Sequence, residues 1–372
     1  MAPSDENKEL SGLARSIDAL FPTGSTKPAG EEMVWEEVAE ARRAKASDAD
    51  PEALRFAVAD FLESGPLERE GKGRAIRDAA AALREAKALD VLADSVERLA
   101  EGAGDPPDEA CLAMADALVT PGVASRIVAR LGAAREEDRR AELTLLCQRL
   151  GHDMAVAIAD ALSDTTDRFA RRTYLDTIVS MGDEAMAVAE QMVEDSRWFV
   201  VRNAVAILGE IGGDRSVELV VSTLANTDAR IRREALLALA KIGGEDAGML
   251  VYGMIEDPDP DVRVAAAMAA GALKVERALK PLLALLESEA DPDVAVGVLR
   301  ALGQLGDPGA VNAIEKRAVG SFFSRQPTDV RIAAYRALQN IGTPHAKSLL
   351  VQAADDKTPE VKAAVRQILG MR

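Results

Sequence analysis

Aromatic side chains are scarce. Phe, Trp and Tyr make up 3% of the 372 residues, and there are two cysteines and two histidines. A β-sandwich core or an aromatic-lined cofactor pocket draws on large rings, so neither suits this composition. Cys111 and Cys147 stand alone on apolar helical stretches and read as buried free thiols, consistent with a reducing cytoplasm. His152 and His345 fall at separate inter-helix turns, about 190 residues apart. Neither joins a Cys/His cluster, and no Walker loop, Gly-x-Ser-x-Gly elbow or Rossmann fingerprint occurs. No metal, cofactor or catalytic residue is therefore expected, and the chain reads as a non-enzyme. Long apolar runs of membrane-helix length are lacking, as is a signal-peptide core, so a cytoplasmic location is expected. Positive charge is short too. The formal net charge is −17, where a general nucleic-acid binder would be basic.

What the chain does have is repetition. Taking Val262 in Asp259-Pro260-Asp261-Val262-Arg263 as position zero, equivalent positions are Arg139, Ala170, Val200, Ile231, Val262, Val294, Val330 and Val361, at intervals of 31, 30, 31, 31, 32, 36 and 31. At +12 stand Gly151, Gly182, Gly212, Gly243, Gly306 and Gly342, with Lys274 interrupting. Glycine is expected just past a helix C-terminus, where the chain turns left-handed. At −3 stand Asp167, Asp228, Asp259, Asp291 and Thr358, all suited to cap a helix, and Pro260, Pro292 and Pro359 follow at the first helical position. Positions 0, +4, +7, +8 and +11 are mostly apolar, as in Ile231, Ala235, Ala238, Leu239 and Ile242, which makes one stripe on a helix. A second apolar-periodic stretch lies between frames. Each unit is thus a helix pair that must stack on its neighbours to bury its faces, which predicts an all-α, α/α superhelical solenoid.

The Asp-Pro-x-Val-Arg helix start, the alanine-rich body, the ending Leu302-Gly303-Gln304-Leu305-Gly306 and Pro281 within a first helix resemble the HEAT repeats, most closely the short HEAT-like repeats of phycobiliprotein lyases. The resemblance runs from about Arg139 to the C-terminus and is degenerate from about Pro51. It implies that the second helix of each pair lines a concave face. The family's arginine at +1 is matched by Arg140, Arg171, Arg232, Arg263 and Arg331, with Lys362 in its place once; Val201 and Ala295 depart, so an Asp–Arg ladder between repeats should break there. HEAT-like deoxyhypusine hydroxylase uses His-Glu pairs for iron; here Asp153 follows His152 and Ala346 follows His345, so that resemblance fails on the residues it needs.

Residues 1–32 form a flexible arm in which Leu10, Leu13, Ile17, Leu20 and Phe21 make a short amphipathic helix before a Gly/Pro/Ser linker. Residues 33–138 read as worn terminal repeats, and 139–372 as regular HEAT-like ones. The long interval before Val330 holds an insertion carrying Phe322 and Phe323, a loop suited to contact a partner or to tuck against the adjacent turn.

Phase places +2, +6 and +9 opposite the buried stripe. Arg172, Arg202 and Arg233 share +2, followed by Val264, Val296 and Ile332; at +6 come Leu237, Met268, Arg300 and Arg336, with Tyr335 beside them. The arginines either pair locally, with carboxylates such as Asp176 or Glu210, or form a groove for a protein segment with acidic and apolar parts, since a guanidinium fork donates two parallel hydrogen bonds to a carboxylate. The expected function is a protein-interaction scaffold or adaptor whose partner carries an acidic segment. The alternative implied by the resemblance is a bilin-lyase-like subunit or a chaperone for chromophore attachment.

Overall fold

The computed structural model describes residues 49–319 and 326–371; the N-terminal arm and the insertion residues Phe322 and Phe323 lie outside them. The described residues are helical throughout, without a strand, and divide into two compact units at Met181–Gly182. The first unit pairs α1 (Pro51–Leu62) with α2 (Pro66–Glu85), α3 (Leu89–Gly102) with α4 (Glu109–Leu118), α5 (Pro121–Ala133) with α6 (Glu137–Leu150), and α7 (His152–Asp164) with α8 (Arg168–Val179). The second pairs α9 (Asp183–Val193) with α10 (Trp198–Ile211), α11 (Gly213–Thr223) with α12 (Ala229–Ile242) and α13 (Glu245–Gly253) with α14 (Pro260–Ala272). It continues with α15 (Leu279–Ser288) and α16 (Pro292–Leu305), α17 (Val311–Val319) and α18 (Thr328–Ile341), and α19 (Pro344–Ala353) and α20 (Pro359–Ile368).

Helix ends follow the chemistry of the frame. Asp167, Asp228, Asp259 and Asp291 accept hydrogen bonds from backbone N–H groups of the first turns of α8, α12, α14 and α16. Thr358 precedes α20 without capping it through its side chain; its hydroxyl takes a hydrogen bond from Arg331 instead. Gly151, Gly182, Gly212, Gly243, Gly306 and Gly342 all hold positive φ, and Lys274 adopts φ 54° in the same place.

In the second unit the second helices α10, α12, α14, α16 and α18 lie side by side in extensive contact, while the first helices touch one another sparingly. The cause is a line of small residues. A Cβ added to Gly209 would stand 2.9 Å from the Ala238 Cβ; one on Gly271 would stand 2.8 Å from the Ala301 Cα; one on Gly303, 2.7 Å from the Ala337 Cα. Glycine at +9 therefore faces alanine at +7 of the next second helix, and the backbones meet. This corrects one expectation: +9 is closed against the neighbouring helix at Gly209, Gly271 and Gly303, because a second helix is covered on both flanks as well as by its own first helix, while Gln339 at +9 of α18 stays exposed. Position +5 is buried for the same reason, as at Val205, Leu236, Ala267 and Leu299. At +11, Ile242 and Ile341 are only half-buried.

In the second unit the +1 arginines Arg232, Arg263 and Arg331 each tie one repeat to the next, whereas Arg140 and Arg171 of the first unit donate to backbone carbonyls just ahead of their own helices. Arg232 forks onto Asp257 at 2.9 and 2.7 Å and donates to the Asn226 carbonyl at 2.9 Å. Arg263 reaches Glu289 at 2.8 Å and the carbonyls of Asp257 and Pro258, each at 3.1 Å. Arg331 pairs with Asp356. The ladder stops at Val201, and Asn226, the residue in the place of Asp257 one repeat earlier, is neutral there. Burial opposes ionisation of Asp257, Glu289 and Asp356, but hydrogen bonds from the arginines and backbone outweigh it and hold all three below the usual carboxylate range.

The first unit departs from this pattern at α6 and α8. In place of the Gly–Ala contact stand Gln148 at +9 and Thr177 at +7. Thr144 and Thr177 hydroxyls lie 3.2 Å apart, and Gln148 Nε2 donates to Ser180 Oγ at 2.9 Å. The bulkier polar pair leaves a surface groove of about 460 Å3 between the two helices.

Candidate functional site

The expected row of arginines draws on both units. Arg172 belongs to the first unit, where it lines the α6–α8 groove and lies 3.5 Å from Asp176, one of the carboxylates expected as local partners for the arginines. The other, Glu210, pairs with Lys241. Arg202 and Arg233 belong to the second unit, at +2 of the adjacent helices α10 and α12.

Around them the packing brings together residues that the repeat frame alone did not single out. Arg230 stacks on the Trp198 ring with its Cζ 3.5 Å from the centroid, held by a two-pronged bond to Asp228 at 3.0 and 2.6 Å. Arg202 approaches the same ring at 5.7 Å and donates to Asn203 Oδ1 at 2.8 Å. Trp198 stands edge-on to Phe199, with centroids 6.0 Å apart, and both rings are half-buried. Glu234 lies within the influence of Arg202 and Arg233, yet burial outweighs their pull and pushes its carboxyl above the usual range. The sequence signal for this cluster is the Trp-Phe pair at the start of a second helix together with arginine just ahead of the zero position in the next repeat.

Further along the same layer, Leu237 on α12 is 37% exposed. Val264 and Met268 on α14, Val296 on α16 and Ile332 on α18 are half-buried, lying in the furrows between helices; Val264 packs over Gly297, where a Cβ would stand 2.9 Å from its Cγ1. Arg300 and Arg336 are exposed at +6 of the adjacent helices α16 and α18. Tyr335 is not on this face. It is buried at 4% exposure beside Arg331 and Asp356, because +5 points into the packing between helices; burial raises its phenol pKa against the pull of Arg331.

The arginines of the second unit's second helices differ in their partners, Arg230 forking onto Asp228 at the surface. Those at +1 are buried in ion pairs. Among the described residues, no carboxylate pairs with Arg202, Arg233, Arg300 or Arg336, although acidic residues number 62 against 45 basic ones.

Other candidate chemistry is sparse. His345 Nε2 lies 3.0 Å from Glu315, and no group of metal-ligating residues gathers among the described residues. Cys111 and Cys147 are buried and free, and burial pushes the Cys147 thiol up to about 12. Among the described residues no single helix is long and apolar enough to cross a membrane.

Comparison with known proteins bears on the repeats. A family model of HEAT repeats matches residues 187–249 and 249–321, and one of the PBS lyase HEAT-like repeat matches residues 330–356. No curated protein matches the sequence significantly. Among solved structures, the karyopherin Kap121p bound to Ste12p is similar at a TM-score of 0.51 and 12% identity, over 97% of this chain and 45% of the karyopherin. The CpcE–CpcF complex of phycocyanin lyase from Nostoc sp. PCC7120 aligns over 68% of this chain and 95% of that one, at 18% identity and a TM-score of 0.34. Human deoxyhypusine hydroxylase aligns over 61% and 97%, at 20% identity and a TM-score of 0.29. Identities this low speak to the fold alone. The chain carries HEAT repeats over residues 187–321 and a repeat of the PBS-lyase HEAT-like type over residues 330–356.

Proposed function

We propose that the second-helix face of the second unit binds a protein segment bearing acidic side chains, and that the chain acts as a non-enzymatic scaffold or adaptor. The observation that carries this reading is the set of four arginines left without carboxylate partners on one face of a protein with net charge −17. In such a chain a guanidinium is readily neutralised by a neighbouring carboxylate, so four without an ion pair, two of them only under the longer-range pull of Glu234, favour a ligand that supplies the carboxylates. The apolar residues between them offer a dry contact for the segment's aliphatic part. That Kap121p was solved with protein partners is in keeping with this use of helical repeats.

The test is capture of partners from a lysate, with mass spectrometry, by the parent chain and by Arg202→Glu with Arg233→Glu. Acidic partners retained by the parent at low salt should be lost by the double variant, whose far-UV CD spectrum stays helical. Equal capture by both would overturn the assignment of this face. The repeat match at residues 330–356 favours a second reading, a bilin-lyase-like subunit. It predicts covalent chromophore attachment when the chain is mixed with a bilin, an apo-phycobiliprotein and a partner subunit, and an unchanged absorbance spectrum would reject it.

A further inference from the structure

The open arginines come as two pairs with an apolar strip between them. Arg202 and Arg233 sit on the adjacent helices α10 and α12, and Arg300 and Arg336 on the adjacent helices α16 and α18. Between the pairs, on α14, lie Val264 and Met268; Leu237 on α12 flanks Arg233, and Val296 on α16 and Ile332 on α18 flank Arg300 and Arg336, so the apolar strip runs from one pair into the other. Neighbouring helices pack about 8–10 Å apart, so three helix steps separate the midpoints of the two pairs by roughly 27 Å. The strip itself is narrow. Positions +2 and +6 are four residues apart on one helix, about 6 Å along its axis. That width accommodates one extended strand, at about 4.8 Å, but not a helix about 10 Å across.

Resting on the function proposed above, we infer that the ligand is an extended peptide with two acidic clusters separated by about eight residues of largely aliphatic character, at about 3.3 Å per residue. Each cluster meets one arginine pair, and the spacer lies along the apolar strip. A single-stranded nucleic acid fits less well, since it carries a charge at every phosphate and would set several of them over Val264, Met268 and Val296. Glu234, half-buried beside Arg202 and Arg233, sharpens the choice: it repels an anion placed deeply between them and leaves the outer, exposed edges of the guanidiniums to the ligand.

Synthetic peptides test the spacing directly. Fluorescein-labelled peptides of the form Asp-Asp, spacer, Asp-Asp, with alternating Val and Ser spacers of three, eight and thirteen residues, are titrated against the intact chain by fluorescence anisotropy at low salt. Joining two weak sites by a linker that spans them gains at least tenfold in affinity, so the eight-residue spacer should bind at least tenfold tighter than the three-residue one. Changing either Asp-Asp to Asn-Asn should lose that gain. In the variant Arg300→Ser with Arg336→Ser, both positions being exposed, the three spacers should bind alike. If the parent binds all three equally, or if this variant keeps the preference for eight, the two-cluster ligand is wrong. Loss of binding only in Arg202→Glu with Arg233→Glu would then leave the simpler acidic-segment reading standing. If no peptide binds the parent, or binding survives in both variants, that reading falls as well.

Discussion

Lys274 shows how a single residue can depart from its frame at a cost. A side chain in the left-handed region is strained by about 1–2 kcal/mol, and glycine fills the equivalent turn in the other complete repeats from Gly151 to Gly342. Lys274 offsets part of that strain by donating from Nζ to the Gln304 carbonyl at the end of α16. Urea unfolding should rank Lys274→Gly at or above the parent and Lys274→Ala below it by about 0.5–1 kcal/mol, since alanine keeps the strain and loses the bond. Arg232 is a different case. Its side chain and that of Asp257 are 13% and 6% exposed, so Arg232→Ala strands a buried carboxylate and should cost about 3–5 kcal/mol. The sign with pH follows from the depressed pKa of Asp257. The pair's stabilisation is complete above the unfolded-state value near 4 and is lost as pH falls through the lower folded value. Chemical unfolding measured from pH 7 to pH 2 should therefore fall less steeply below pH 4 in Arg232→Ala than in the parent.

Among the elements, the second helices carry the organisation, and their contact line can be probed with one chemical change at two places. Gly303→Ala sets a methyl 2.7 Å from the Ala337 Cα and should cost about 1–3 kcal/mol by forcing α16 from α18. Gly253→Ala, at the end of α13 with open space around it, should instead gain about 0.5–1 kcal/mol through helix propensity. Thermal melts of the two variants should move in opposite directions. The helix pairs, the aspartate caps, the turn glycines and the break of the ladder at Val201 were legible in the sequence, because each depends on residues close together along the chain. The closure of +9, the burial of Tyr335 and the stacking of Arg230 on Trp198 were not. Phase assigns a residue to a side of its own helix and is silent about which neighbour covers that side. Phase alone placed Arg300 and Arg336 on an exposed side of their helices, while the division of the chain between Arg172 and Arg202 left no mark in the repeat frame.

For the molecule as a whole, the charge of −17 acts against the folded state and for the proposed ligand site at different ranges. Self-repulsion spread over the surface is relieved by added salt, since the Debye length shrinks from about 30 Å at 0.01 M to about 8 Å at 0.15 M. The same screening weakens exposed guanidinium–carboxylate contacts with a ligand. Raising salt from 10 to 150 mM should therefore raise the melting temperature while lowering affinity for the eight-spacer peptide. A parallel rise or fall of both quantities would show that the two effects do not have separate electrostatic origins.

The small-residue line between second helices also makes the second unit a ruler whose length can be reset. Excising the 32 residues Val262–Asp293 would leave the cap Asp259-Pro260-Asp261 in front of Val294, so the new helix would begin as the old one did. Arg263 and Glu289 would leave together, and Arg232 would keep Asp257, so no buried charge would lose its mate. At the new junction Ala240 at +9 would meet Ala301 at +7, alanine against alanine as Ala240 and Ala269 stand at those positions now. The two arginine pairs would then stand two helix steps apart instead of three, and the preferred spacer should shorten by about three residues. Gain or loss of a single repeat would thus change which partners the face can measure without altering any residue that touches them at either end.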